Sequence, residues 1–129
     1  MLKLIGQMEG FGIPGAVPTT HHNRADLRHG PHMHHPGGPK HAEDIGTADT
    51  VAEGDSDGER QLRLYADRTI SVDPETKQLT KPRKMTIHDA IYTLAPTNEN
   101  NTARYLAFIC HGLGLPPETP MTKALELKA

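Results

Sequence analysis

The chain has 129 residues, a net charge of −2 at neutral pH and one cysteine. The length predicts a single domain spanning residues 1–129. The charge argues against a nucleic-acid partner, which normally requires a basic patch. One cysteine excludes an internal disulfide. No apolar run approaches the roughly 20 residues of a membrane span, so no membrane partner is expected.

The first helix is predicted from apolar residues three apart. Leu2, Ile5 and Met8 share one helical face, and Gly10 begins the Gly- and Pro-rich stretch that ends the helix. This places Glu9 at the C-terminal end of the helix. The opening apolar run is too short for a signal peptide.

A long irregular segment is predicted next, over residues 19–54. Residues 19–50 hold seven of the nine histidines and sustain neither a helical nor a strand period. A short strand is expected within residues 45–51. Asp55 or Ser56 is then expected to cap a helix ending near Arg68, whose inward residues are Leu62, Tyr65 and Ala66.

The remainder predicts a hairpin followed by helices. Residues 69–84 fit an extended excursion around the Asp73-Pro74 turn. Thr86 is expected to cap a helix, with Asp89 completing a capping box. Asn101 or Thr102 is expected to cap the next helix, and residues 119–125 to add one more turn. The predicted fold is mainly α, with a small β-hairpin excursion and long loops.

Four further segments, together with the start of the chain, resemble one family. Met8–Thr19 resembles the "EGF-x-x-PG-x-x-P" segment of small phage and bacterial lysozyme-like peptidoglycan hydrolases, which are related to lytic transglycosylases and goose-type lysozymes. His22–Arg28 matches the position of an "NNPG(D/N)L" motif, with Asn23-Arg24-Ala25 replacing its core. Asp57–Tyr65, Ala95–Tyr105 and Gly114–Met121 resemble later family motifs in the right order, and residues 69–84 read as an insertion.

This resemblance implies a lysozyme-like fold and cleavage of the β-1,4 bond between N-acetylmuramic acid and N-acetylglucosamine. The implied partner is the peptidoglycan glycan strand, and no cofactor is expected. Because no signal peptide is predicted, we expect a virion-associated protein of a phage, or one that another factor releases to the periplasm or cell wall. Glu9 would be the acid/base residue of a lytic transglycosylase or muramidase. Its position at a helix C-terminus in an apolar setting favours the protonated form that such an acid needs. The expected substrate-binding residues are Phe11, Asn23, Asp26, Asn98, Glu99, Asn100 and Tyr105, with Asp26 the best candidate for a water-activating partner.

Other interpretations stay open. The chain could be a non-catalytic virion or tail structural protein that keeps the fold as a glycan-binding module, and other virion proteins would then be partners. The His-rich segment could bind metal, although its spacing predicts no dedicated metal site. The asparagines at 98, 100 and 101 could cap a helix. Tyr105 could be a core residue, and Cys110 is expected to be a buried small side chain.

Overall fold

Six helices and one two-stranded antiparallel hairpin make up the described residues, 1–41 and 43–126, of the computed structural model. The prediction of a mainly helical chain with one hairpin is therefore confirmed. The elements are α1 (Leu2–Glu9), α2 (Val17–Thr20), a 3-10 turn (Pro39–His41), α3 (Val51–Asp67), β1 (Thr69–Val72), β2 (Leu79–Lys84), α4 (Ile87–Leu94), α5 (Thr102–Leu113) and α6 (Met121–Ala124).

The chain divides into two compact units, with the boundary inside α3. The first unit comprises residues 2–61, and the second comprises residues 62–126 together with Met1. Within the described part of the chain, no helix is both long and apolar enough to cross a bilayer.

The first unit is built around α1 and the first half of α3. Leu2 and Ile5 are buried, as their spacing predicts. Gly54 in α3 lies so close to the irregular segment that a Cβ atom there would collide with the carbonyl oxygen of His22. Glycine, although unfavourable in a helix interior, is thus required for the segment to pack on α3.

The second unit contains the hairpin and three of the helices. The Thr86 side chain accepts the N–H of Asp89, and the Asp89 side chain accepts the N–H of Thr86, so the predicted capping box is present. The Asn101 side chain likewise accepts the Arg104 N–H at the start of α5. The core of this unit is apolar and includes Ile87, Ile91, Tyr105, Ile109 and Met121.

Three local predictions were wrong. α3 begins at Val51 and not after Asp55, because the Thr50 hydroxyl accepts the Glu53 N–H (3.1 Å) and donates to the Glu53 carboxylate (3.2 Å). Residues 45–51 form no strand in the described chain; a single bridge pairs Thr47 with His34. The segment predicted to be irregular from residue 19 is entered through α2, whose first turn contains Pro18.

Candidate active site

Glu9 and Asp26 are brought together in the first unit. Glu9 is the last residue of α1 and is half-buried. Asp26 lies in a turn with the positive φ of 51° that non-glycine residues seldom adopt. A hydrogen bond with the Glu9 carboxyl group is among the causes that raise the pKa of Asp26. Two predicted site residues that are 17 positions apart in the sequence thus form one carboxyl pair.

The Asp26 carboxyl group has an unusual environment. Burial, the hydrogen bond with Glu9 and repulsion from the Glu9 charge together raise the pKa of Asp26 from 3.8 to about 7. Its Oδ1 atom is buried and has no hydrogen-bond partner among the described residues. A strained backbone and an unsatisfied buried oxygen are features that concentrate at functional sites.

Phe11 lies beside this pair in sequence and is covered by a cation. The Arg24 guanidinium lies 3.9 Å from the centroid of the Phe11 ring, and its Nε donates to Asp55 Oδ1 at 2.8 Å. Arg24 therefore links the turn after α1 to α3. The sequence interpretation missed this role, although Arg24 stands in the segment that departs from the "NNPG(D/N)L" motif.

Asn23 has a structural part in the same unit. It is buried, and its amide nitrogen donates to the carbonyl oxygens of Leu27 (2.8 Å) and Gly46 (2.9 Å). Its Oδ1 accepts the N–H of Leu27 at 2.9 Å. These hydrogen bonds connect the backbone near Leu27 with the backbone near Gly46 within the irregular segment. The predicted contact of Asn23 with a glycan stays a prediction.

The other predicted substrate-binding residues belong to the second unit. Asn98 and Glu99 are exposed in the turn between α4 and α5, and Asn100 donates to the carbonyl oxygen of Pro96 at 3.3 Å. Tyr105 is only 2% exposed and packs in the core of this unit. Of these four predicted residues, Asn98 and Glu99 have the side chains that are most accessible to a ligand.

Three histidines of the irregular segment each hydrogen-bond to the carboxylate of a different aspartate. His32 Nδ1 lies 2.7 Å from Asp57 Oδ1, His34 Nε2 lies 2.8 Å from Asp49 Oδ1, and His41 Nδ1 lies 2.8 Å from Asp44 Oδ2. Asp57 is buried and also accepts the backbone N–H of His32. These pairs tie the segment down at separate points along its length.

Two adjoining cavities of about 260 and 590 Å³ lie along this segment. They share His21, Asp44 and Ile45 as lining residues. The buried Nδ1 of His21 has no hydrogen-bond partner among the described residues. Among the described residues that line the two cavities, neither member of the carboxyl pair occurs, so the cavities are a separate feature of the first unit.

Cys110 behaves as the sequence predicts. It is buried in α5, and burial together with the negative charge of Glu118 raises the pKa of its thiol. A thiol kept protonated in an apolar setting is a poor nucleophile.

No family model, no curated protein and no solved structure matches the chain. The family resemblance therefore rests on the sequence motifs, and the chemistry of the site rests on the carboxyl pair.

Proposed function

We propose that this chain is a lysozyme-like domain that cleaves the β-1,4 glycosidic bond of peptidoglycan, with Glu9 as its acid/base residue. The observation that carries this proposal is the interaction of Glu9 with Asp26, a half-buried carboxyl group whose pKa is raised to about 7. Breaking a glycosidic bond needs a carboxylic acid that is still protonated near neutral pH, in order to protonate the leaving oxygen.

The spacing of the pair favours one reaction type. Inverting glycosidases hold their two carboxyl groups roughly 6.5–9.5 Å apart, and retaining enzymes hold theirs about 5–5.5 Å apart. Glu9 and Asp26 interact through a side-chain hydrogen bond, which is a closer approach than either of those spacings. The pair therefore fits a mechanism in which two carboxyl groups act as a single acid and base.

Lytic transglycosylation needs one acid/base group and no separate carboxylate nucleophile. Glu9 gives its proton to the leaving glycosidic oxygen, and the C6 hydroxyl of the muramyl sugar then attacks C1. The hydroxyl proton returns to Glu9, so the pair is restored and a 1,6-anhydro end forms without consumption of water. Asp26 acts on Glu9 and not on the sugar: it holds the Glu9 carboxyl group in place and exchanges the shared proton with it.

Cell-wall cleavage by three variants tests the proposal. Glu9→Gln removes the acid, so we expect turbidity clearance of purified peptidoglycan to fall by at least about 100-fold. Glu118→Gln, on the exposed surface of the second unit, is the matched control and should keep full activity. Asp26→Asn should retain part of the activity. Mass spectrometry of the released fragments should find anhydro ends.

Two results would contradict the proposal: an inactive wild-type chain, or equal activity in wild type and Glu9→Gln. An inactive chain that still co-sediments with cell walls would instead favour a non-catalytic glycan-binding or virion structural protein. Reducing ends in place of anhydro ends would keep the glycosidase and overturn the transglycosylation step.

A further inference from the structure

The second unit holds a cluster of metal-binding side chains where the hairpin turn meets α4. Asp73 and Glu75 lie in the turn between β1 and β2, and His88 lies in the first turn of α4. One potential ligand atom from each of the three lies within 4.8 Å of the others. Two carboxylates and an imidazole form the mixed oxygen and nitrogen ligand set of many zinc sites.

The turn fixes the position of the Asp73 carboxylate. Asp73 Oδ1 accepts the backbone N–H groups of Glu75 (2.8 Å) and Thr76 (3.1 Å). The backbone of Asp73 closes the turn by accepting the Lys77 N–H and donating to the Gln78 carbonyl oxygen. One ligand therefore stands on a rigid loop, which reduces the entropy lost on binding an ion.

The imidazole of His88 is held in one orientation. Its ring packs on Tyr92, one turn further along α4, with the ring centroids 4.7 Å apart. Its Nδ1 lies 3.2 Å from Asp89 Oδ1, and its Nε2 points at Glu75 Oε1 at 2.7 Å. A histidine that binds metal commonly donates its other N–H to a carboxylate in this way, which sets the tautomer and makes the ligating nitrogen more basic.

Asp89 is suited to orienting the His88 ring because burial and hydrogen bonds fix its own position. Its side chain is fully buried and accepts hydrogen bonds from the Thr86 N–H and the Arg83 guanidinium. The orientation of His88 is thus tied to the capping box that begins α4.

The local charge favours a cation. Three carboxylates, those of Asp73, Glu75 and Asp89, surround His88, and the Arg83 guanidinium pairs with two of them among the described residues. Arg83 is engaged mainly by Asp89, and its contact with Asp73 is longer, at 3.4 Å. An excess of negative charge therefore remains at the open side of the cluster.

We propose that Asp73, Glu75 and His88 bind one divalent zinc-type ion, with water completing the coordination. Zinc ligands lie about 2.0–2.2 Å from the ion, so neighbouring ligand atoms in a tetrahedral site are about 3.4 Å apart. Glu75 Oε1, now 2.7 Å from His88 Nε2, must withdraw by less than an ångström to reach that spacing, and the Asp73 oxygen, which lies within 4.8 Å of both, must close any remaining distance. Glu75 is exposed on the turn, so this adjustment requires no change in the core.

Zinc titration of the metal-free full chain, followed by calorimetry, tests the site. Glu75→Gln and His88→Ala should each weaken the tightest binding event by at least about tenfold. His34→Ala is the matched control, because it removes a histidine of the His-rich segment that has a single carboxylate partner. That variant should bind the first ion as tightly as wild type does.

The exposed Glu75 variant keeps the test valid even if His88→Ala fails to fold. Absence of zinc binding by wild type would overturn the proposal, as would unchanged affinity in Glu75→Gln. A loss confined to His34→Ala would assign the ion to the His-rich segment and also overturn it. The readout is metal affinity, so the result is independent of any cleavage activity.

Discussion

Replacing Asp26 by asparagine should make the chain more stable at alkaline pH. Asparagine has the shape of a protonated aspartate, and it tolerates the positive φ of 51° at this position better than most residues. It also has an N–H group that can donate to Glu9. The substitution thus keeps the shape of the site and removes only the ability of residue 26 to become charged.

The size of the effect follows from the raised pKa. The folded-state pKa of Asp26 is about 7, against an ordinary 3.8. At about 1.4 kcal/mol for each pH unit between the two values, the upper limit is about 4 kcal/mol. Asp26 is only half-buried, and solvent screening reduces this to about 1–2 kcal/mol.

The sign follows from proton linkage. A carboxyl group with a raised pKa binds its proton more tightly in the folded chain, so its stabilising contribution is complete below pH 3.8. That contribution is lost as the pH rises toward 7. The free energy of unfolding of wild type should therefore fall over this interval relative to that of Asp26→Asn, leaving the variant about 1–2 kcal/mol more stable above it.

Urea unfolding of both proteins at about pH 5 and about pH 8 measures the difference. Asp67→Asn, at an exposed position at the end of α3, is the control, and its difference from wild type should not change with pH in this way. A difference between Asp26→Asn and wild type that is the same at both pH values would refute a raised pKa for Asp26.

Three further outcomes are expected. Cell-wall cleavage should decline above a pH of about 7, because Asp26, the partner of Glu9, loses its proton there, and a pH–rate profile checks this. Gly54→Ala should destabilise the chain by about 1–3 kcal/mol, because the new methyl group would collide with the backbone carbonyl of His22. The control Gly112→Ala, at an exposed position of α5, should instead stabilise the chain by up to about 1 kcal/mol. Thermal unfolding measures both changes. Asn23→Ala should cost about 2–4 kcal/mol in urea unfolding, since it leaves buried backbone groups unsatisfied.

The helices of the second unit could be predicted because their signals are local. Thr86 and Asp89 are three residues apart, and each satisfies a backbone group of the other. Asn101 acts in the same way at α5. The same kind of signal, Thr50 followed by Glu53, marks the true start of α3. It was missed because Gly54 interrupts the apolar pattern of that helix.

The carboxyl pair was predicted only in part. The motifs pointed to Glu9 and Asp26 separately, but nothing local indicates that the two side chains share a hydrogen bond. Asp26 lies in a left-handed turn, and the segment that leads to it packs the His22 carbonyl oxygen against Gly54. Both are set by interactions between segments far apart in sequence, which periodicity does not report. The contact of the Arg24 guanidinium with the Phe11 ring could not be predicted from sequence patterns for the same reason.

Histidine content also proves a poor guide to where an ion would bind. In the His-rich segment each of three histidines has its own carboxylate, so the pairs are spread along the chain. At His88 the carboxylates of Asp73 and Glu75, both in one turn, lie close to the same imidazole ring. A third carboxylate, that of Asp89, lies at the other ring nitrogen. A divalent ion needs several ligand atoms at one point, and convergence is a property of folding. One histidine held by a hairpin turn and a capped helix therefore satisfies this need better than the many histidines of a loop.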